Sequence, residues 1–301
     1  MGASNRCRGC VLSMCTGGHG PATFLGIKRT DLSLSLFSSQ PTSQPTTTNM
    51  LLARLASLAT GIIVPLYIFP GDPGICASWT PLINSITAQP NLRFHVIINP
   101  NSGPGTTAQP DASYQSCVAK LKHPNVELVG YVPTGFGSRA QSAVTADINT
   151  YAGWASAYAL DGIFFDEVSG TAGDLGKYTT YVSHARQVLK GGSGAVTLNP
   201  GAQPTAGYFG IADLVATRED FFNDFSPSQL TLGSSTPANK QAVILHDAPS
   251  APPSSIISQL VATDRIGALY ITDDVQANNG NPYDSLPSDL AAFVSAVAAA
   301  Q

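Results

Sequence analysis

From Gly61 to the C-terminus, short apolar runs alternate with longer stretches in which apolar residues are spaced among polar ones. Ile62–Phe69, Phe94–Ile98, Val126–Val132, Ile163–Phe165, Ala195–Leu198, Ala212–Thr217, Ala242–Leu245 and Ala268–Ile271 are bounded mostly by Gly, Pro or Asn. Such runs read as buried strands. The stretches between them predict helices over Trp79–Gln89, Ala112–Leu121, Gln141–Tyr158, Leu175–Leu189, Ser254–Thr263 and Leu290–Ala299. Shorter helical turns are expected near Pro204–Phe209 and Asn223–Leu230. Eight strand–helix units in succession predict an α/β fold, a (β/α)8 TIM barrel. A doubly wound open sheet shares the alternation, but the glycine fingerprint of its usual ligands is missing. Gly103-Pro104-Gly105 follows a strand, yet Pro104 interrupts it and no further glycine pair continues it.

The pattern stops upstream. Residues 1–49 run into Ser38-Ser39-Gln40-Pro41-Thr42-Ser43-Gln44-Pro45-Thr46-Thr47-Thr48, a tract that buries little surface. They are read as a disordered low-complexity extension of a single domain spanning 50–301, with Met50 an alternative start. Neither Met1 nor Met50 opens a clear secretory signal: Val11–Cys15 is too short, and Leu51–Phe69 continues into the first strand. That second run contains Arg54 and Pro65, so no membrane span is expected. Cys7, Cys10 and Cys15 lie upstream without a second ligand pair at zinc-finger spacing, and no metal site is assigned. Cys76 and Cys117 lie in the domain, as one disulfide or two buried thiols.

Charge narrows the partner class. Charged residues make up 11% of the chain, and 15 basic against 19 acidic residues leave a net charge of −4. No Lys/Arg cluster stands ready for a polyanion, so nucleic acid is excluded and a neutral or cationic ligand fits better.

Candidate chemistry lies where the apolar runs end. Ile163-Phe164-Phe165 stops at two adjacent carboxylates, Asp166 and Glu167, at the strand end where α/β barrels place catalysis. The next helix starts later, so neither acid is needed as its cap. Other strand ends carry Asn99 and Asn101, Arg139, Asn199, Glu219, His246, Asp273 and Asp274, with Tyr67, Tyr131 and Tyr270 nearby. Each has a bland reading as a turn or cap residue. Together they look like a sugar cleft, in which aromatic faces cover C–H surfaces and amide, carboxylate and guanidinium groups bond hydroxyls.

Pro65-Leu66-Tyr67-Ile68-Phe69-Pro70, Ile97-Ile98-Asn99-Pro100-Asn101-Ser102-Gly103-Pro104-Gly105, Gly130-Tyr131-Val132-Pro133-Thr134 with Arg139, and Asp161-Gly162-Ile163-Phe164-Phe165-Asp166-Glu167 closely resemble the spherulin-4 family. Leu198-Asn199-Pro200-Gly201 and Tyr270-Ile271-Thr272-Asp273-Asp274 extend the resemblance over about residues 61–290. It implies a TIM-barrel glycoside hydrolase without cofactor or metal, similar to fungal enzymes that cut galactosaminogalactan as endo-α-1,4-N-acetylgalactosaminidases. The implied acids are Asp166, Glu167 and Glu219. A monomer acting on a polysaccharide is expected, and the family implies an extracellular or cell-surface location.

Because side chains alternate along a strand, Asp166 and Glu167 are not expected to enter the cleft alike. Asp166 is assigned as nucleophile of a retaining reaction, Glu219 as acid/base, and Glu167 as a supporting residue or alternative acid. Two other classes remain in view. One is a non-catalytic carbohydrate-binding or spore-wall protein, which has no need of spaced acids. The other is a metabolic barrel enzyme for a phosphorylated substrate, against which the missing Gly-rich phosphate loop argues.

Overall fold

A computed structural model describes residues 59–192, 194–276 and 280–301. The expectations for the N-terminal extension and its three cysteines lie outside these residues. Eight parallel strands close on themselves in sequence order. They are β1 (Gly61–Leu66), β2 (Phe94–Ile98), β3 (Val126–Pro133), β4 (Gly162–Asp166), β5 (Ala195–Leu198), β6 (Leu214–Phe221), β7 (Gln241–His246) and β8 (Ala268–Ile271). The connecting helices are α1 (Thr80–Ala88), α2 (Ala112–Lys120), α3 (Gln141–Ala152), α4 (Leu175–Val188), α5 (Tyr208–Ile211), α6 (Ser254–Ser258) and α7 (Leu290–Ala299). This is the expected (β/α)8 barrel. Among the described residues no helix is long and apolar enough to cross a membrane.

Local chemistry accounts for most departures from the sequence reading. The third helix stops at Ala152 rather than Tyr158, where Gly153 sits at its C-cap. No α-helix follows β6: Phe222–Asp224, Pro227–Gln229 and Ala238–Lys240 are single 3-10 turns. Two of these turns contain or follow a proline, and none offers a sustained apolar face. The helix expected over Ser254–Thr263 is α6 followed by a π-turn over Gln259–Thr263.

Strand pairing decides which residues face the barrel axis. Phe165 packs on Tyr181 of α4, so Phe165 points outward, and Phe164 and Asp166 inward. Carried through the registers Phe164↔Thr197 and Tyr131↔Phe164, the alternation turns Tyr131, Thr197 and Asn199 inward. It also turns Leu214 and Ala216 of β6 inward, because Thr197 pairs with Leu214. Plain alternation would then send Glu219 outward. It does not, because the β6–β7 register skips Thr217: Ala216 pairs with Ala242 and Arg218 with Val243. This bulge adds one residue and brings Glu219 and Phe221 to the inward face. The expected strand end at Thr217 is therefore the bulge, and β6 continues through the acid.

The β1–α1 loop is fastened to α2. Cys76 and Cys117 form a disulfide with their Cα atoms 5.6 Å apart. The Gly74 N–H donates to Ser116 Oγ and Lys120 Nζ to the Gly74 carbonyl. Gly130 leaves room for the Tyr151 ring of α3, whose hydroxyl donates to the Ile98 carbonyl at 3.1 Å.

Candidate active site

At the carboxyl ends of the strands, three side chains from β4, the end of β5, and β6 converge. The Asn199 amide nitrogen donates to Asp166 Oδ1 at 2.8 Å and to Glu219 Oε2 at 2.6 Å. Asn199 itself is buried, and its amide oxygen accepts from the Gly201 N–H at 3.0 Å. Two carboxylate oxygens sharing one nitrogen are separated by no more than the sum of those two bond lengths. So short a gap between the nearest oxygens is compatible with the about 5–5.5 Å carboxyl spacing of retaining glycosidases.

The pair stands in an aromatic collar. Tyr131 is hydrogen-bonded to Asp166, and Tyr283 donates to Glu219 Oε1 at 2.7 Å. Tyr67 packs edge-on against both, with ring centroids 5.3 Å from Tyr131 and 5.7 Å from Tyr283. Burial pushes the Asp166 carboxyl up to about 6, the nearby Glu219 charge adds to this, and the donors Tyr131 and Asn199 offset part of it. Burial and then the two carboxylates likewise hold the Tyr67 phenol well above its usual range. His246 lies across from them, its edge on Phe221 at 4.4 Å and its Nδ1 2.6 Å from Asp247 Oδ2. Hydrogen bonds from the Gln276 N–H and His246 hold Asp247 below the ordinary carboxylate range.

Glu167 turns away from this pair. It adopts a left-handed backbone (φ 52°), and its Oε2 accepts the Gly135 N–H at 3.0 Å. Its carbonyl accepts from Thr134 Oγ1 and the Phe136 N–H. Its contacts thus clamp the loop after β3.

Several residues assigned to the cleft have other partners. Tyr270 is fully buried between Tyr283 and Phe293, with ring centroids 6.4 and 6.2 Å away, and so has no exposed face to offer a sugar. Arg139 is paired with Asp147 of α3 at 2.7 Å and with the Pro133 carbonyl. Asn99 faces inward, but its Oδ1 accepts the Gly103 N–H, shaping its own loop together with the Asn101 N–H, which donates to the Gly103 carbonyl. Asp273 accepts from the Ser288 N–H and hydroxyl, and Asp274 from those of Ser285. These two acids bond to Ser285 and Ser288 in the β8–α7 connection that carries Tyr283.

Tyr283 itself was not anticipated. Its one sequence signal is the length of that connection, residues 272–289, against a usual two to six or so; long connections in compact domains are commonly functional. The chain neighbours of Glu219 bond elsewhere. Arg218 donates to the Gln229 carbonyl and Asp220 accepts from the Phe221 N–H, while Asn199 and Tyr283 are the groups on Glu219. Among the described residues no group of three or more His, Cys, Asp or Glu is arranged to hold a metal ion.

Comparison with known proteins shows the family. Residues 61–297 match the family described as spherulation-specific family 4. Spherulin-4 of Physarum polycephalum is 36% identical over 247 residues, which is 78% of this chain and 69% of that protein. The crystal structure of Aspergillus clavatus Sph3 in complex with GalNAc aligns with a TM-score of 0.67 and 30% identity, over 80% of this chain and 98% of that one.

Proposed function

The chain belongs to the spherulin-4 family and is a glycosidase of that family, and from this premise we propose that it cleaves internal α-1,4 linkages of a galactosamine- and GalNAc-containing polysaccharide of cell walls or biofilms, with retention. The observation that carries the reading is Asn199 donating at once to Asp166 and Glu219. Two carboxyl groups that share one amide donor stand close together, which supports a double displacement over inversion by an intervening water. The GalNAc bound by the Aspergillus relative supports the sugar class.

In an α-N-acetylgalactosaminide the acetamido group lies on the same face as the axial leaving oxygen. It cannot attack C1 from the rear, so the nucleophile must come from the protein. Asp166 takes that role: above a pH of about 6 it is ionised, and its raised proton affinity makes it the stronger nucleophile. Its carboxylate displaces the leaving sugar at C1 while Glu219 gives that sugar's oxygen a proton. Glu219 then takes a proton from water as the water attacks C1 and releases Asp166. A second reading exchanges the two roles. The observation behind it is that both Glu219 oxygens already receive donors, while Asp166 is the member that burial favours in the protonated form.

The disulfide supports an extracellular or cell-surface location, since such bonds persist in oxidising compartments. The decisive assay is reducing-end release from purified polymer, with NMR of the first product. An α-configured first product is expected from the wild type, and losses of several orders of magnitude from Asp166→Asn and Glu219→Gln. A β-configured product would overturn retention. Azide rescue separates the roles: Asp166→Gly should form a β-glycosyl azide and Glu219→Gly an α-glycosyl azide, whereas the opposite pairing would exchange the assignments.

A further inference from the structure

Six described non-glycine residues have left-handed backbones, and five of them lie in loops after strands at the catalytic end: Cys76, Ser102, Phe136, Glu167 and Asp247. Phe136 is the aromatic among them. A bulky side chain at φ 52° is disfavoured, and such strain persists where the surroundings impose it. Here they do. The Phe136 N–H donates to the Glu167 carbonyl at 2.6 Å, and the preceding Gly135 N–H to the Glu167 carboxylate at 3.0 Å. Thr134 Oγ1 binds the carbonyls of Asp166 and Glu167, and Lys177 binds the Gly137 carbonyl. Yet the ring so firmly presented is 67% exposed, so no packing of its own repays the strain.

A second exposed ring lies on the other side of the acids. Phe221 follows Glu219 by two residues, faces the same side of β6, and is 39% exposed with one flank on His246. Resting on the substrate reading above, we propose that Phe136 and Phe221 are the sugar platforms of an extended cleft, binding units of the polymer on opposite sides of the scissile bond. Glu167 is the positioning residue that holds the first platform in place. The chemistry fits the sugar. A galacto-configured ring carries its C3, C4, C5 and C6 hydrogens toward one face, an apolar patch that an aromatic ring covers. Phe136 sits after β3 and Phe221 at the end of β6, with Asp166 and Asn199 between them on β4 and at the end of β5, so a chain spanning both rings crosses the acid pair.

The test is binding of α-1,4-linked GalNAc oligomers of two to eight units, by calorimetry, to full-length Asp166→Asn alone and with Phe136→Gly or Phe221→Ala added. Affinity of the parent should rise with length. Each added substitution should weaken the longest oligomer roughly 3- to 10-fold, and more than the dimer. Phe136→Gly, which suits the left-handed backbone, should melt no lower than its parent, so a loss of binding cannot be ascribed to misfolding. Glu167→Ala should reproduce the length-dependent loss of Phe136→Gly. Losses equal at every length, or none at the longest, would overturn the platforms while leaving the hydrolase standing. Failure of the parent to bind any oligomer, with no reducing ends from wild type, would remove the substrate reading and the platforms with it.

Discussion

Asp166 should weaken the fold wherever it is ionised, and Asp166→Asn should relieve that. Burial and the Glu219 charge raise its carboxyl from the ordinary 3.8 to about 6 in the folded protein. At about 1.36 kcal/mol per pKa unit, the ionised form costs the native state about 3 kcal/mol. The sign follows from a folded value above the unfolded one. The proton taken up on folding leaves stability intact below about pH 3.8, and that contribution is lost as pH rises through about 6. Asparagine does not ionise and bears no such cost. Its oxygen still accepts from Asn199 and Tyr131, less strongly than a carboxylate, which trims the gain to about 1–3 kcal/mol. At about 2–4 °C per kcal/mol for a chain of this size, Asp166→Asn should melt several degrees above wild type at pH 7.5. The gap should close by about pH 4. Thermal unfolding of both proteins from pH 3.5 to 8 reads this directly. A Tm difference independent of pH, or a variant less stable at pH 7.5, would refute the argument that burial charges Asp166 this cost.

The same titration should appear in catalysis: with Asp166 as nucleophile, kcat/KM falls on the acid side of about pH 6 as Asp166 takes up its proton, which a pH–rate profile shows. Tyr283→Phe removes the donor on Glu219 Oε1 and should cost roughly 10- to 100-fold in kcat with little change in KM; steady-state kinetics separate this from a pure substrate contact. Replacing Cys76 and Cys117 by serine opens a connection with a sequence separation of 41 and should cost about 4 kcal/mol, read from the urea midpoint. Gly162→Ala would place a Cβ 2.1 Å from the Ala195 carbonyl oxygen at the β4–β5 seam, so a loss of about 3 kcal/mol or failure to fold is expected in the same assay.

The barrel was legible because each strand is an apolar run closed by turn residues, and because Asp166 ends such a run with the parity that points inward. Glu219 was legible as one polar strand-end residue among several, and only the family resemblance singled it out as an acid. Its aim depends on the unpaired Thr217, and a bulge leaves no mark in the pattern of apolar and polar residues. Tyr283 was hidden for another reason: it reaches Glu219 across 64 positions from a connection without periodicity. Asp273 and Asp274 misled in the opposite sense. Acids at a strand end look like chemistry, but the Ser285 and Ser288 groups that consume them are distant turn residues whose partners only the folded loop reveals. Glu167 illustrates adjacency. It shares a motif with Asp166, yet its left-handed backbone sends its carboxylate to the neighbouring loop.

The seam that closes the barrel has a consequence for the cell that makes this protein. β1 meets β8 through Gly61↔Ala268 and Ile62↔Leu269, and Thr60 is tied to Ile266 and to Gln301. The donor on Glu219 also arrives late, from Tyr283. A growing polypeptide that has reached Glu219 therefore has both acids made, but neither a closed barrel nor the Tyr283 donor on Glu219, until β8 and Tyr283 have been added. A product cut short before β8 carries Asp166 and Glu219 without the closed barrel and the Tyr283 hydrogen bond that fix their geometry, so the pair is assembled only near the end of synthesis.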